Sequence, residues 1–330
     1  MSINRRHVLA CAAAAATAVG LPRLASAQAA TAIRWGTVLA TSHPEVQMME
    51  RISKDVKEKS GGRMDIQVFP NSQLGSAKEM IEAVSAGALQ MICDGPGQLG
   101  AFLPALSVLE APYLWRDAAH LGKASNTPFY IKQNVDLVVR RGMRMLNVSY
   151  NGKRHLTTGT KAVRTPADMV GFKLRVPPID VFRAMSEAWG ARATPMAFGE
   201  LYLALKQGAV DGQENPLPTI NSGKFFEVQK YLVLTQHIIT PRLFIINDGF
   251  WKSLRSADQD VLQTAFAAGV SWQDKEILNQ EDTLVDTFKN AGMTIIKPDL
   301  ALWRKPVLET LPALFADKWG KGTFETLAAL

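Results

Sequence analysis

SADQDVLQTAFAAGVSWQDKEILNQEDTLVDTFKN, residues Ser256 to Asn290, holds no proline and a single glycine, Gly269. Ser256 is a good helix N-cap, and Gly292 stops the run. At ~1.5 Å per residue, one continuous helix here would reach about 50 Å. That is longer than one compact domain of this chain's size needs. The stretch therefore predicts a helix lying across two lobes and tying them together. The alternative is two shorter helices bent near Gly269.

Outward from this stretch, strand-like and helix-like runs alternate, which predicts α/β architecture. Ala32–Thr37, Met64–Phe69 and Leu89–Asp94 read as strands. His43–Lys59 and Ser76–Ala86 read as the helices between them, the second ended by Gly87. A second set starts near Tyr150, after a strand at Met143–Val148. It holds the strand Gly171-Phe-Lys-Leu-Arg-Val-Pro177 and helices over Ile179–Trp189 and Gly199–Gln207. Short strands are expected at Ala193–Met196 and Ala209–Gly212, and later ones at Tyr231–Leu234 and Leu243–Asn247.

The first residues read as a targeting leader over 1–27. Arg5-Arg6 precede an alanine-rich apolar stretch, Val8 to Val19, and Ala25-Ser26-Ala27 forms an A-x-A cleavage site. The arginine pair is Tat-like without the full consensus, so Sec export is the other route. Val8-Leu-Ala-Cys11 is not a lipobox, because the apolar run follows the cysteine. The mature chain is expected to start near Gln28 and to work in a periplasm. Loss of Arg5, Arg6 and Arg23 lowers the formal charge from +7 to +4. So small an excess, without basic runs interleaved with aromatics, argues against nucleic acid. Only Cys93 survives cleavage, so no intrachain disulfide can form, and it reads as a buried thiol.

Enzyme signals are weak. Gly95-Pro96-Gly97-Gln98-Leu99-Gly100 fits G-x-G-x-x-G after a strand, but Pro96 removes an N–H that a pyrophosphate would need. A tight turn after Asp94, at the ligand-binding edge of an open sheet, is the expected role. His43, His120, His155 and His237 show no metal-ligand spacing, and no G-x-S-x-G elbow occurs. Asp211 suits a turn and Glu200 the first turn of a helix, so neither forms an acid–base pair with Glu214. No cofactor and no metal are expected.

Polar groups of another kind gather at element edges. Arg175 sits near the end of a strand stopped by Pro177-Pro178, where its guanidinium can grip a carboxylate bidentately. The local alternative is a surface arginine beside a sheet. Tyr150-Asn-Gly-Lys-Arg154 follows one strand, and Gln213-Glu-Asn-Pro216 follows the expected strand at Ala209. Phe198 enters a helix. Two guanidiniums, an amide and an aromatic wall are the inventory for holding a polar acid.

At these residues the chain resembles the solute-binding proteins of TRAP transporters, tripartite ATP-independent periplasmic systems. The matching runs are Gly171–Pro177, Pro195–Leu205, Val210–Pro216, Lys224–Tyr231, Pro70–Gly75 and Tyr150–Arg154. The resemblance spans essentially the whole mature chain. It implies a periplasmic binding protein fold of two α/β lobes, with hinge closure and a lobe-spanning helix. Residues 28–151 and 241–280 would form lobe one, and 152–240 and 281–330 lobe two. It implies that Arg175 binds the ligand carboxylate, Arg154 is a second contact, Asn215 supplies the amide and Phe198 a wall. Further expected contacts are Trp35, Asp94, Gly95, Gln73 and Pro178. The partners implied are a small organic acid and membrane-embedded permease subunits, with the binding protein a monomer.

Within the family the chain looks closest to the sialic acid binders, and it departs from them. Pro178, Gly95 and Val38-Leu39 stand where that branch carries Asn, Glu and polar groups. The carboxylate grip is thus expected to persist while the distal pocket differs. A uronate, aldonate or smaller hydroxy acid is the leading ligand class. An aromatic or keto acid, stacked on Trp35 and Phe198, is the alternative. A periplasmic enzyme acting on an organic acid and a sensor subunit are the rivals of other classes.

Overall fold

The computed structural model describes residues 30–330. The leader expected at 1–27 lies outside the described residues. Ten strands form one mixed sheet: β1 (Thr31–Gly36), β2 (Met64–Phe69), β3 (Met91–Asp94), β4 (Met143–Thr158), β5 (Lys173–Val176), β6 (Arg192–Pro195), β7 (Gly212–Pro216), β8 (Tyr231–Val233), β9 (Ile239–Asn247) and β10 (Thr294–Ile296). The order is β2-β1-β3-β9-β4-β7-β5-β6, and β8 joins β4 to β10.

β4 is shared by the two halves of this sheet. Its first residues pair antiparallel with β9, from Met143 opposite Asn247 to Tyr150 opposite Pro241. Its last residues pair with β7 on one edge and β8 on the other. The change of partner coincides with a register break between Tyr150 and Lys153. Gly152 sits in that break at φ +102°, a backbone conformation open to glycine and strained for other residues. A bulge of this kind bends the strand that carries it.

Helix starts follow the local chemistry. The helix Pro44–Lys59 is capped by His43, whose Nδ1 accepts from the Glu45 N–H at 3.0 Å. Ser76 and Glu79 form a reciprocal capping box ahead of the helix Ala77–Ser85.

The long helix runs unbroken from Ser256 to Asn290, 35 residues, with Arg255 and not Ser256 at the N-cap position. Gly269 does not bend it. A Cβ there would lie 2.6 Å from Ile52 Cδ1, so the glycine lets this helix approach the helix Pro44–Lys59 closely. Along its length it joins three hydrophobic clusters. Leu262, Phe266 and Val270 pack with Ile33, Trp35 and Phe244. Ile277 joins the large central cluster. Leu284 and Phe288 pack with Leu201, Ile220 and Phe225.

Other elements depart from expectation. No strand forms at Ala209–Gly212: it begins at Gly212 and carries Gln213, Glu214 and Asn215 within it. β4 and β9 outrun the strands read at Met143–Val148 and Leu243–Asn247. Their extra residues Ser149–Thr158 and Ile239–Arg242 are rich in polar side chains that face the protein interior. The helix Leu300–Trp319 runs through Pro306 and Pro312, which conceal it in the sequence. It buries Trp303, Val307, Leu311, Phe315 and Trp319 in one stripe. Its contacts reach both halves: Trp189 Nε1 donates to the Trp303 carbonyl at 3.0 Å, and Trp319 Nε1 to Ser107 Oγ at 2.9 Å. No helix among the described residues is long and apolar enough to cross a membrane.

Candidate functional site

A cavity of about 210 Å³ lies where the two halves of the sheet meet. Strand pairing explains how distant residues reach it. β4 pairs with β7 so that Arg154 lies opposite Pro216, and β7 pairs with β5 so that Gln213 lies opposite Arg175. Three strands separated in sequence thus place Arg154, Arg175 and Asn215 on one wall.

Arg175 is 2 % exposed, so the surface alternative is excluded. Its Nε and Nη2 donate to the Met196 carbonyl at 3.1 and 2.7 Å, which fixes the guanidinium plane. Nη1 has no hydrogen-bond partner, and no carboxylate forms an ion pair with this arginine, among the described residues. Its Cζ lies 6.0 Å from the centre of the Phe198 ring. Burial pulls its pKa down to about 10, against the opposing charge of Glu214. A cation so buried and so unpaired is expensive unless something negative joins it.

Arg154 lines the same wall in a different electrostatic state. Nε donates to Glu214 Oε2 at 2.5 Å, and Nη2 to Glu214 Oε1 at 2.8 Å and Asn215 Oδ1 at 3.0 Å. His237 Nε2 lies 2.9 Å from Glu214 Oε2. Burial pushes Glu214 upward, but Arg154 and His237 outweigh it and hold the carboxyl below its ordinary range. Asn215 passes the chain on, donating from Nδ2 to Gln213 Oε1 at 2.5 Å. The wall is therefore rigid, and after the Arg154–Glu214 pair cancels, Arg175 leaves it positive.

The other wall comes from β3, β9 and the helical turn Pro104–Glu110. Arg242 binds Glu45 at 2.6 and 3.1 Å, Asp94 Oδ1 at 2.9 Å and the Cys93 carbonyl at 2.9 Å. One guanidinium thus faces two carboxylates. Burial pushes Asp94 upward, with Arg242 and the Gly95 N–H opposing. Glu110 Oε2 accepts from the Gly97 N–H at 2.9 Å, and burial raises its pKa to about 7. Three buried polar atoms of the lining have no protein partner: Asp94 Oδ2, Asn151 Oδ1 and Thr240 Oγ1.

Arg175, Arg154, Asn215, Phe198, Asp94 and Pro178 thus line one cavity. Three expected contacts do not. Trp35 is fully buried in the core, with its ring 5.2 Å from Phe266 and 5.8 Å from Phe244. Its position on the sheet points it at the long helix, away from the ligand edge. Gln73 is exposed in the loop after β2 and outside the lining. Gly95 is buried beneath Glu110: a Cβ on it would lie 2.5 Å from Glu110 Oε2. The loop that holds it is not a bare tight turn, since Pro96–Leu99 form a turn of helix.

Sequence reasoning missed Glu110, Arg242, Thr240 and Phe182, all in the lining. Two of these carried a signal. Glu110 is the lone acid in Pro104-Ala-Leu-Ser-Val-Leu-Glu-Ala-Pro112, and Arg242 the lone charge in Ile238-Ile-Thr-Pro-Arg-Leu-Phe-Ile-Ile246. A charge inside an apolar run is buried with a partner or faces a site.

The family described as bacterial extracellular solute-binding protein, family 7 (DctP), matches residues 35–318. The chain belongs to this family. It is 32% identical over 310 residues to the sialic acid-binding periplasmic protein SiaP of Vibrio cholerae, covering 94% of this chain and 96% of that one. Among solved structures it is similar to a TRAP periplasmic solute-binding protein from Roseobacter denitrificans with bound 3-deoxy-D-manno-oct-2-ulosonic acid. That match has a TM-score of 0.86 at 30% identity, covering 91% of this chain and 99% of that one. It is also similar to the sugar acid binding protein DctPAm of Advenella mimigardefordensis in complex with galactonate. Here the TM-score is 0.86 at 28% identity, covering 91% and 98%. This DctP protein is thus a TRAP solute-binding protein with the two-lobe α/β fold of its neighbours.

Proposed function

We propose that this DctP protein captures a small sugar acid or hydroxy acid in the cavity between its lobes. Arg175 clamps the carboxylate, and Arg154, Asn215, Phe198, Asp94 and Pro178 complete the contact surface. One observation carries the reading: Arg175 is a buried guanidinium, held in plane by Met196, with Nη1 free and no carboxylate partner among the described residues. A ligand carboxylate supplies the missing charge and acceptor. Similar proteins bound to sugar acids support the ligand class.

The loaded protein then docks, as a monomer in the periplasm, on membrane-embedded permease subunits. Family membership supports this partner and this compartment. Residues 28–151 with 241–280 act as one lobe, and 152–240 with 281–330 as the other. The register break at Tyr150/Lys153 supports a hinge there, and the helix Leu300–Trp319 touches both lobes. No catalytic role is assigned to any residue. Burial of Trp35 removes one of the two walls that an aromatic ligand was expected to use.

The test is a thermal-shift screen of the mature protein against sugar acids, dicarboxylates and aromatic acids. A ligand that binds only the folded state raises Tm by mass action. The sugar acids should give the largest shifts, and Arg175→Ala should abolish them while staying folded. An undiminished shift in that variant would overturn the clamp.

A further inference from the structure

The second wall of the cavity differs in chemistry from the first. Its one arginine, Arg242, is shared between the carboxyls of Glu45 and Asp94. Beside it Glu110 is 3 % exposed and lines the cavity. Glu110 uses Oε2 to accept from Gly97, and Oε1 has no protein donor among the described residues. The backbone is shaped around this carboxyl. Cβ atoms at Gly95 and Gly97 would fall 2.5 and 2.8 Å from its Oε2, so any side chain at either position would displace it. Asp94 Oδ2, 6 % exposed on the residue as a whole, and Thr240 Oγ1 add unpartnered oxygens to the same wall. Such a surface of oxygens recognises ligand hydroxyls, and it repels carboxylates where Glu110 is ionised.

We propose that Glu110 is a specificity-determining residue: it accepts hydrogen bonds from ligand hydroxyls and excludes ligands with a second carboxylate. This rests on the carboxylate-capture reading above and narrows it to monocarboxylic polyhydroxy acids. Arg175 takes the single carboxylate. Hydroxyls along the chain then satisfy Glu110, Asp94 and Thr240, and a second carboxylate placed there would meet like charge once Glu110 is ionised.

The experiment is calorimetric titration of the mature protein with D-galactonate against galactarate, and with D-erythronate against meso-tartrate. Each pair shares a carbon chain and differs by one carboxylate. At about pH 9, well above the Glu110 pKa of about 7, at least one monoacid should bind, with its diacid about 100-fold weaker, the scale of a like-charge contact. Glu110→Gln keeps the side-chain volume and an acceptor for Gly97. In that variant the gap should close to about tenfold or less. Equal affinity of the wild type for both members of a pair overturns the proposal, as does an undiminished gap in Glu110→Gln. If succinate or an aromatic acid binds and no polyhydroxy acid does, this inference fails and carboxylate capture stands. Silence from every acid overturns both.

Discussion

Arg154 and Glu214 neutralise each other across the pairing of β4 with β7, through contacts of 2.5 and 2.8 Å. Arg242 is likewise paired, with Glu45 and Asp94. Of the three buried arginines in the lining, Arg175 alone lacks a carboxylate among the described residues. The pairing elsewhere is what makes its charge available.

Removal of Arg175 should separate binding from stability. Arg175→Met deletes an unpaired buried charge and fills its space. Affinity for the bound acid should fall by at least about 30-fold, the low end of breaking a buried charge pair. The apo protein should be no less stable, and on the precedent of buried ion replacement up to about 2 kcal/mol more so. Calorimetry gives the first quantity and urea unfolding the second. A large loss of apo stability would show that the charge is compensated within the protein.

Glu214→Gln should do the reverse. It leaves Arg154 buried with an uncancelled charge, which costs about 3–5 kcal/mol. The urea midpoint should drop accordingly at pH 7, before any ligand is added.

Glu110 makes apo stability depend on pH in a defined direction. Its pKa is about 7 in the folded protein against an ordinary value of 4.5. The folded state therefore holds a proton that the unfolded state releases between those values, and stability falls as pH rises through this window. Arg154 and Arg242 pull the pKa down, as does the Gly97 N–H, whereas Asp94 and burial push it up. Asp274, raised to about 6 by burial, acts in the same sense. Glu110→Gln should thus gain stability relative to wild type on going from pH 4.5 to pH 8, by up to about 3 kcal/mol. Paired unfolding curves at the two pH values check the sign.

Gly95→Ala places a methyl where the Glu110 carboxyl sits, 2.5 Å from Oε2. The carboxyl must move into the cavity or lose its bond to Gly97. Ligand affinity should drop about tenfold or more while far-ultraviolet dichroism stays that of the wild type, since the displaced carboxyl no longer meets the ligand hydroxyl, a hydrogen bond worth about 1.5–3 kcal/mol when the carboxyl is ionised. An unaltered Kd would show that the cavity tolerates the displacement.

Much of this arrangement can be read from residue order alone. The unbroken run from Ser256 to Asn290 announced the long helix, and alternation in Gly171–Pro177 placed Arg175 on a strand. The register break at Gly152 in β4 left no local sign beyond the glycine and the polar turn around it. Trp35 misled because its alternation fixes a face of β1 but not which layer that face meets; the long helix, 220 residues away, decides that. Glu110 and Arg242 stayed hidden because a buried charge is explained by partners that only the fold assembles. The prolines at 306 and 312 hid a helix whose stability comes from tertiary burial of an aromatic stripe, and propensity cannot register that.

The helix Ser256–Asn290 contributes side chains to three separate cores. Neither lobe therefore owns a complete interior. A fragment ending near Tyr150 would lack Leu262, Phe266 and Val270, and the remainder would lack the strands those residues cover. The protein should melt as one cooperative unit despite its two-part form, and exchanging a lobe with a relative would mean exchanging the helix too. Ligand range in this scaffold is then easier to change by substitution around the cavity than by recombination of its halves.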